Sequence, residues 1–197
     1  MFKNIYKNKK ILVTGNTGFK GSWLTTWLLK LGAEVIGISK DIPTSPSMFE
    51  ILKLEEKIKY YQEDIRDLAK MINLISREKP DFLFHLAAQP VVSASYIDPS
   101  ETISSNVMGT ANILEALKVS NHNCVAVIIT SDKAYDNVEQ IEGYKEDDRL
   151  GGKDIYSGSK GAAELIIKSY FHSFLKKDSS NIKLAIGRAG NVIGGGD

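Results

Sequence analysis

The chain has 197 residues, 43% apolar and 25% charged, with a formal net charge of +1. That length fits one domain with a real core, or one domain and part of another, and the near-neutral balance gives no electrostatic reason to expect nucleic acid or an anionic membrane as partner. No apolar run approaches the roughly 18 residues of a membrane span, and a single cysteine, Cys124, rules out an internal disulfide.

The basic stretch Met1–Lys10 lacks the apolar segment and small-residue cleavage site of a secretory signal, so a cytoplasmic protein is expected. A first strand is predicted over Lys10–Thr14. A helix follows over Phe19–Leu31, with Trp23, Trp27 and Leu31 at i, i+4 and i+8, the spacing of a core-facing stripe. Glu34–Ser39 reads as the second strand. After the Pro/Ser-rich loop Asp41–Ser47 come a short helix around Met48–Leu54 and a third strand over Lys57–Gln62. A helix over Leu68–Lys79 is stopped by Pro80, and Asp81–Ala87 is the fourth strand. A long helix over Pro99–Ser120, a fifth strand over Val125–Thr130, a long helix over Ile155–Lys176 and a sixth strand over Lys183–Arg188 complete the series. Cys124, at the edge of the fifth strand, reads as a small buried hydrophobe.

The strands are short, β-branched and apolar on both faces, as strands covered by helices on both sides must be. Their alternation with helices predicts an α/β fold, a doubly wound parallel sheet with helices on both faces. The chain finishes on a glycine-rich run, Gly190 to Asp197, straight after a strand. A domain seldom ends so, and the expectation is a first portion whose second part is missing.

Gly15-Asn16-Thr17-Gly18-Phe19-Lys20-Gly21 joins the first strand to the first helix. Gly15 suits a tight turn, Gly18 a close approach of backbone to a pyrophosphate, and Gly21 close packing of helix on sheet. The helix N-terminus offers free N–H groups and partial positive charge to phosphate. The spacing is G-x-x-G-x-x-G rather than G-x-G-x-x-G, but its place after the first strand makes it specific. An acid at the end of the second strand would bind an adenosine ribose. That place reads Ser39-Lys40-Asp41: Asp41 suits a free ribose, Lys40 a 2′-phosphate, and the residues leave NAD and NADP both open.

Tyr156 and Lys160 stand four residues apart in the last long helix. One turn brings both to one face, where an ammonium favours the phenolate and equips the phenol to take a proton from a hydroxyl. His85, His122 and His172 lack ligand spacing, so no metal site is expected.

Five stretches carry a family resemblance: Val13 to Leu24, Phe84 to Pro90, Asn106 to Thr110, Thr130 to Lys133, and Arg188 to Asp197. On these the chain resembles the extended short-chain dehydrogenases/reductases and, within them, the CDP-glucose 4,6-dehydratases. The resemblance implies a Rossmann-type, NAD-binding portion over residues 1–197. It implies loss of water from a nucleotide-sugar substrate, CDP-D-glucose, to give CDP-4-dehydro-6-deoxy-D-glucose. Tyr156 would take the C4 hydroxyl proton while hydride passes to NAD and later returns at C6. Lys160 would lower the tyrosine pKa and hold the nicotinamide ribose. Ser131 would bind the C4 oxygen, Asp132 would be the acid at the C6 hydroxyl, and Lys133 the base at C5 or its assistant. Relatives acting on dTDP-glucose carry a glutamate at the Lys133 position, and a lysine base must be neutral.

The same resemblance assigns Gly15, Thr17, Gly18, Phe19, Lys20, Gly21, Asp64, Ile65, Leu86, Ala87, Ala88, Gln89, Asn106 and Thr130 to the cofactor. Arg188 and Asn191, with Ser131, are assigned to substrate. A homodimer through the helices 99–120 and 155–176 is implied. Residues 1–197 alone are expected to bind cofactor with little turnover. An epimerase of the same fold would leave Asp132-Lys133 unexplained, and a non-catalytic dinucleotide-binding protein typically lacks the tyrosine or the lysine.

Overall fold

The computed structural model describes residues 2–176 and 180–196. Six strands form one parallel sheet: β1 (Lys10–Thr14), β2 (Glu34–Ser39), β3 (Lys59–Gln62), β4 (Phe82–His85), β5 (Cys124–Ser131) and β6 (Ile182–Ala189). The order is β3-β2-β1-β4-β5-β6, every neighbouring pair being parallel. The direction of winding reverses between β1 and β4, which opens a crevice at the C-terminal ends of these strands.

The alternation of side chains sorts the apolar residues of each strand into two cores. Ile11, Val13 and Val35 pack with Leu28 on one face. Leu12, Ile36, Ile38, Leu83, Ala126 and Ile128 pack with Leu74, Ile113 and Leu117 on the other. The helices that cover them are α1 (Phe19–Lys30), α2 (Met48–Ile51), α3 (Leu68–Glu78), α4 (Val92–Ile97), α5 (Pro99–Ile103), α6 (Gly109–Ser120) and α7 (Ile155–Tyr170).

Local signals explain most boundaries. Asp67, Asp98 and Asp154 cap α3, α5 and α7 by accepting from backbone N–H groups, and the Ser47 hydroxyl caps α2, accepting from Glu50 N and donating to the Glu50 carboxylate. Lys79 and Asn121 end α3 and α6 in the left-handed conformation.

Several expectations are corrected. The stretch Pro99–Ser120 is not one regular helix, because a π-helical segment at Ser104–Met108 separates α5 from α6. The last helix likewise passes into a π-helical turn at Phe171–Leu175. β3 begins at Lys59, because Glu55–Lys57 forms a 3-10 turn, and α4 was not anticipated. Trp23 and Trp27 are not core residues: they are 48% and 44% exposed. Small residues, Gly21, Ser22 and Thr25, bring α1 onto the sheet instead. Trp27 packs edge-on against Phe2, with ring centroids 5.4 Å apart. Cys124 is buried as expected, and burial pushes its thiol up to about 12. Asp197, the last residue of the glycine-rich run, lies outside the described residues.

Candidate active site

A cleft of about 870 Å³ runs along the C-terminal edge of the sheet. Its floor begins at the glycine loop. Gly15 has a φ of +72°, and a Cβ there would stand 2.8 Å from the Ala87 backbone. A Cβ on Gly21 would meet the Gly15 carbonyl at 2.0 Å. Both positions therefore exclude any other residue, which is how β1, β4 and α1 come close enough to form the cleft. Asn16, fully buried, braces the loop from below: its Oδ1 accepts from the Ser39 hydroxyl at 2.9 Å, and its carbonyl accepts from Ser22 at 3.1 Å. No side chain caps the N-terminus of α1 and no acid lies in its first turn. Its N–H groups face the cleft, flanked by Lys20, which is the donor set a pyrophosphate needs.

The opposite wall carries the candidate catalytic side chains. β5 ends on Ser131, and its hydroxyl organises the turn that follows, accepting from Lys133 N at 3.2 Å and donating to Asp132 Oδ1 at 3.1 Å. Lys133 Nζ lies 3.8 Å from Asp132 Oδ2, both side chains being about half exposed. Tyr156 and Lys160 are both buried on α7, and the Lys160 ammonium lies 5.7 Å from the Tyr156 ring centre.

Their electrostatics reverse the expectation for the phenol. Burial pushes Tyr156 above its usual value of 10, and Asp132 and Asp154 add to that, while the Ser131 hydroxyl offsets part of it. Lys160 is itself driven down to about 8, mainly by burial and also by the positive charge of Lys20.

Of the candidates assigned by resemblance, all but two line this cleft. Gly15, Thr17, Gly18, Phe19, Lys20 and Gly21 form one end, Asp64 and Ile65 flank it, and Leu86, Ala87, Ala88 and Gln89 continue β4 along the floor. Thr130, Ser131, Asp132, Lys133, Tyr156, Lys160 and Asn191 stand at the other end.

The exceptions are Asn106 and Arg188. Asn106 is buried and serves the β4–α4 turn: its Oδ1 accepts from Gln89 N at 2.8 Å, and its Nδ2 donates to Ser159 Oγ at 2.9 Å. It positions the cleft floor and does not face the cleft. Arg188 points into the protein and forks on the fully buried Glu164, with Nη2–Oε2 at 2.6 Å. Its guanidinium also covers the Tyr135 ring at 4.5 Å. Thr130 keeps its place on the wall but donates its hydroxyl to Glu164 Oε1 at 2.7 Å. Glu164 thus ties β5, β6 and α7 together beneath the reactive residues. Sequence reasoning missed it, because a glutamate on a helix ordinarily reads as solvated.

His85, read as a strand-end residue, lies in a closed network beneath the site. Thr110 gives its proton to the Asn106 carbonyl at 2.7 Å, so it accepts from His85 Nε2 at 3.1 Å. The other ring nitrogen then accepts from Thr14 Oγ1 at 2.7 Å. The neutral ring satisfies every partner, and burial holds its pKa down to about 3. Trp23 was also missed as part of the site: its indole N–H donates to Gly195 O at 2.9 Å, fastening the glycine-rich loop to α1. Among the described residues no group of three or more His, Cys, Asp or Glu side chains could hold a metal ion. Among them, too, no helix is long and apolar enough to cross a membrane.

Comparison with known proteins agrees with this architecture. CDP-glucose 4,6-dehydratase of Salmonella typhimurium is 49% identical over 198 residues, covering 99% of this chain and 55% of that protein. The chain thus spans about half the length of the curated relatives it matches. Among solved structures, Pal from Bacillus thuringiensis superposes with a TM-score of 0.77 at 29% identity, covering 91% of this chain and 55% of the other. UDP-glucuronic acid 4-epimerase from Bacillus cereus, solved with UDP-glucuronic acid and NAD, gives 0.74 at 28% identity, with the same coverage of 91% and 55%. The family profile described as GDP-mannose 4,6 dehydratase matches residues 12–185. With its 3-2-1-4-5-6 sheet and its paired Tyr156 and Lys160, the chain belongs to that dehydratase family of extended short-chain dehydrogenases/reductases.

Proposed function

We propose that this chain is the dinucleotide-binding portion of an NAD-dependent sugar-nucleotide dehydratase. It removes water from CDP-D-glucose to give CDP-4-dehydro-6-deoxy-D-glucose and works as a cytoplasmic homodimer. The observation that carries the reading is the meeting, in one cleft, of an uncapped glycine-loop helix with Tyr156, Lys160 and the Ser131-Asp132-Lys133 turn. The 49% identity to the Salmonella enzyme supports the choice of substrate.

The glycine loop and Lys20 fit a pyrophosphate, Asp64 and Ile65 an adenine, and Lys160 the nicotinamide ribose. A bound NAD supplies the hydride acceptor and the positive charge of its oxidised ring. Ser131 binds the C4 oxygen, and Tyr156 takes the proton of the C4 hydroxyl. Asp132 and Lys133 serve the elimination as one unit. Asp132 Oδ2 and Lys133 Nζ lie 3.8 Å apart, near enough to act on neighbouring carbons of one sugar. Asp132 gives a proton to the departing C6 hydroxyl, and Lys133 takes one from C5. An epimerase has no use for such a pair, which favours a dehydratase within this family.

Binding and turnover test the proposal separately. Titrating NAD into the protein should give saturable binding, and a protein that binds no dinucleotide would refute the reading outright. For turnover, residues 1–197 replace the matching part of the Salmonella enzyme, and the 4-keto product is read by its absorbance in alkali. Product from CDP-glucose is expected. A chimera that folds and binds NAD yet forms no product would remove the dehydratase assignment. A Lys133→Ala chimera at full elimination rate would remove the role given to that lysine.

A further inference from the structure

Resting on the dinucleotide reading above, we infer that Glu101 decides between NAD and its 2′-phosphorylated form at the ribose end of the cleft. In doubly wound folds the residues that close the second strand meet the adenosine ribose. An acid there suits a free 2′-hydroxyl, and a cation nearby accommodates a 2′-phosphate. β2 ends on Ser39 and the next residue is Lys40, so the local sequence alone would invite the phosphate.

The packing cancels that invitation. The Lys40 ammonium is held by Glu101 Oε1 at 2.8 Å. The other Glu101 oxygen accepts from Arg66, the second cation at this end. Arg66 is also engaged by Asp64, with Nη2–Oδ2 at 2.6 Å. Glu101 is fixed from its own helix: its N–H is capped by Asp98 at 2.9 Å, and its Oε1 accepts from the Ser105 hydroxyl at 3.2 Å. One carboxylate, reaching across from α5, thereby occupies Lys40, the cation of this end that lines the cleft.

Charge points the same way. Lys40 and Arg66 stand against Asp41, Asp64 and Glu101, so the ribose end carries one net negative charge. A phosphate monoester would add roughly 1.5 to 2 more. To gain Lys40 it must displace Glu101, which leaves a partly buried carboxylate with one of its two cations gone and a new anion beside it, a repulsive element against the wrong ligand. Glu101→Gln keeps the shape, brings the net charge to zero and frees Lys40.

Calorimetric binding of NAD and NADP to the protein tests this. The wild type should bind NAD at least about tenfold more tightly than NADP. Glu101→Gln should tighten NADP by about tenfold and leave NAD within about threefold. Adding Lys40→Gln to that variant should remove the gain. Lys40→Gln in the wild-type background should change NADP affinity by less than about threefold, because the ammonium is already occupied. If Glu101→Gln still binds NAD and its NADP affinity does not move, the inference fails and the dinucleotide reading stands. A tenfold loss of NADP affinity on Lys40→Gln alone, about 1.4 kcal/mol, also overturns the inference and does not depend on a Glu101 variant folding. A wild type that binds neither dinucleotide overturns both readings together.

Discussion

Lys160, proposed above to serve the chemistry, does so at the expense of the fold. It is 7% exposed, and no carboxylate among the described residues pairs with it, so burial drives its pKa from 10.5 to about 8. The unfolded chain therefore binds more protons than the folded one between about pH 8 and 10.5, and stability must rise with pH across that window. Below it, folding carries the full penalty of a buried ammonium. Lys160→Met should accordingly stabilise the protein at pH 7, by about 2 kcal/mol. The gain should shrink as pH rises through this window and reach zero only well above pH 10.5, where the wild-type lysine is neutral in both states. Urea unfolding at the two pH values measures it, and a destabilised variant at pH 7 would show that the ammonium has found compensation. Tyr156→Phe tests the partner: elimination by the chimera should fall by roughly 10²–10⁴ while NAD affinity stays nearly constant. Equal losses in both would mean that the phenol holds the cofactor rather than moving a proton. The pairing of these two residues was legible from their spacing. The raised phenol pKa was not, because desolvation depends on what distant segments bring around the ring.

Elements were legible where one face decided them. The inner strands, largely buried, show as apolar runs, and the edge strands β3 and β6, only partly buried, were found beside them. The first helix was misread because its tryptophans carry the hydrophobic stripe while its smallest residues make the contact. Gly21, Ser22 and Thr25 let α1 approach the sheet, and the larger rings stay outside, where Trp23 meets Gly195 and Trp27 meets Phe2. Closeness, not apolar area, sets this interface. Gly21→Ala should therefore destabilise the fold by about 1–3 kcal/mol, since its Cβ would press on the Gly15 carbonyl at 2.0 Å, a backbone atom that cannot swing aside. The same shift would open the loop, so NAD binding should weaken as well. An alanine variant with wild-type urea midpoint and NAD affinity would show that α1 can retreat freely. The break at Ser104–Met108 was invisible for another reason: one extra residue in a helical turn leaves no mark on composition. Its consequence is that Asn106 turns to Gln89 and Ser159 and holds the cleft floor.

At the scale of the molecule, a doubly wound parallel sheet followed from the alternation of strands and helices, whereas the strand order and the ion pairs that join distant segments did not. Glu101 with Lys40 and Arg66, and Glu164 with Arg188, each link residues that only the folded chain brings together. The apolar surface left over is likewise a property of the whole. Ile103 and Met108 beside α5, and Leu165 on α7, are large apolar side chains with about half their surface exposed. They sit on the helices proposed above to form a homodimer. A two-fold interface uses each residue twice, so Leu165→Asp would place two carboxylates in one apolar contact, each without a counter-charge. Unpaired buried charge costs several kcal/mol, enough to lower dimer affinity by at least about a hundredfold. Light scattering during gel filtration at micromolar concentration should show a wild-type dimer and a Leu165→Asp monomer with an unchanged circular dichroism spectrum. Ile51→Asp is the control, because Ile51 is even more exposed but lies on α2 beside α1, and that variant should remain dimeric. A monomeric wild type, or a Leu165→Asp protein still dimeric, would assign this apolar surface to some other contact.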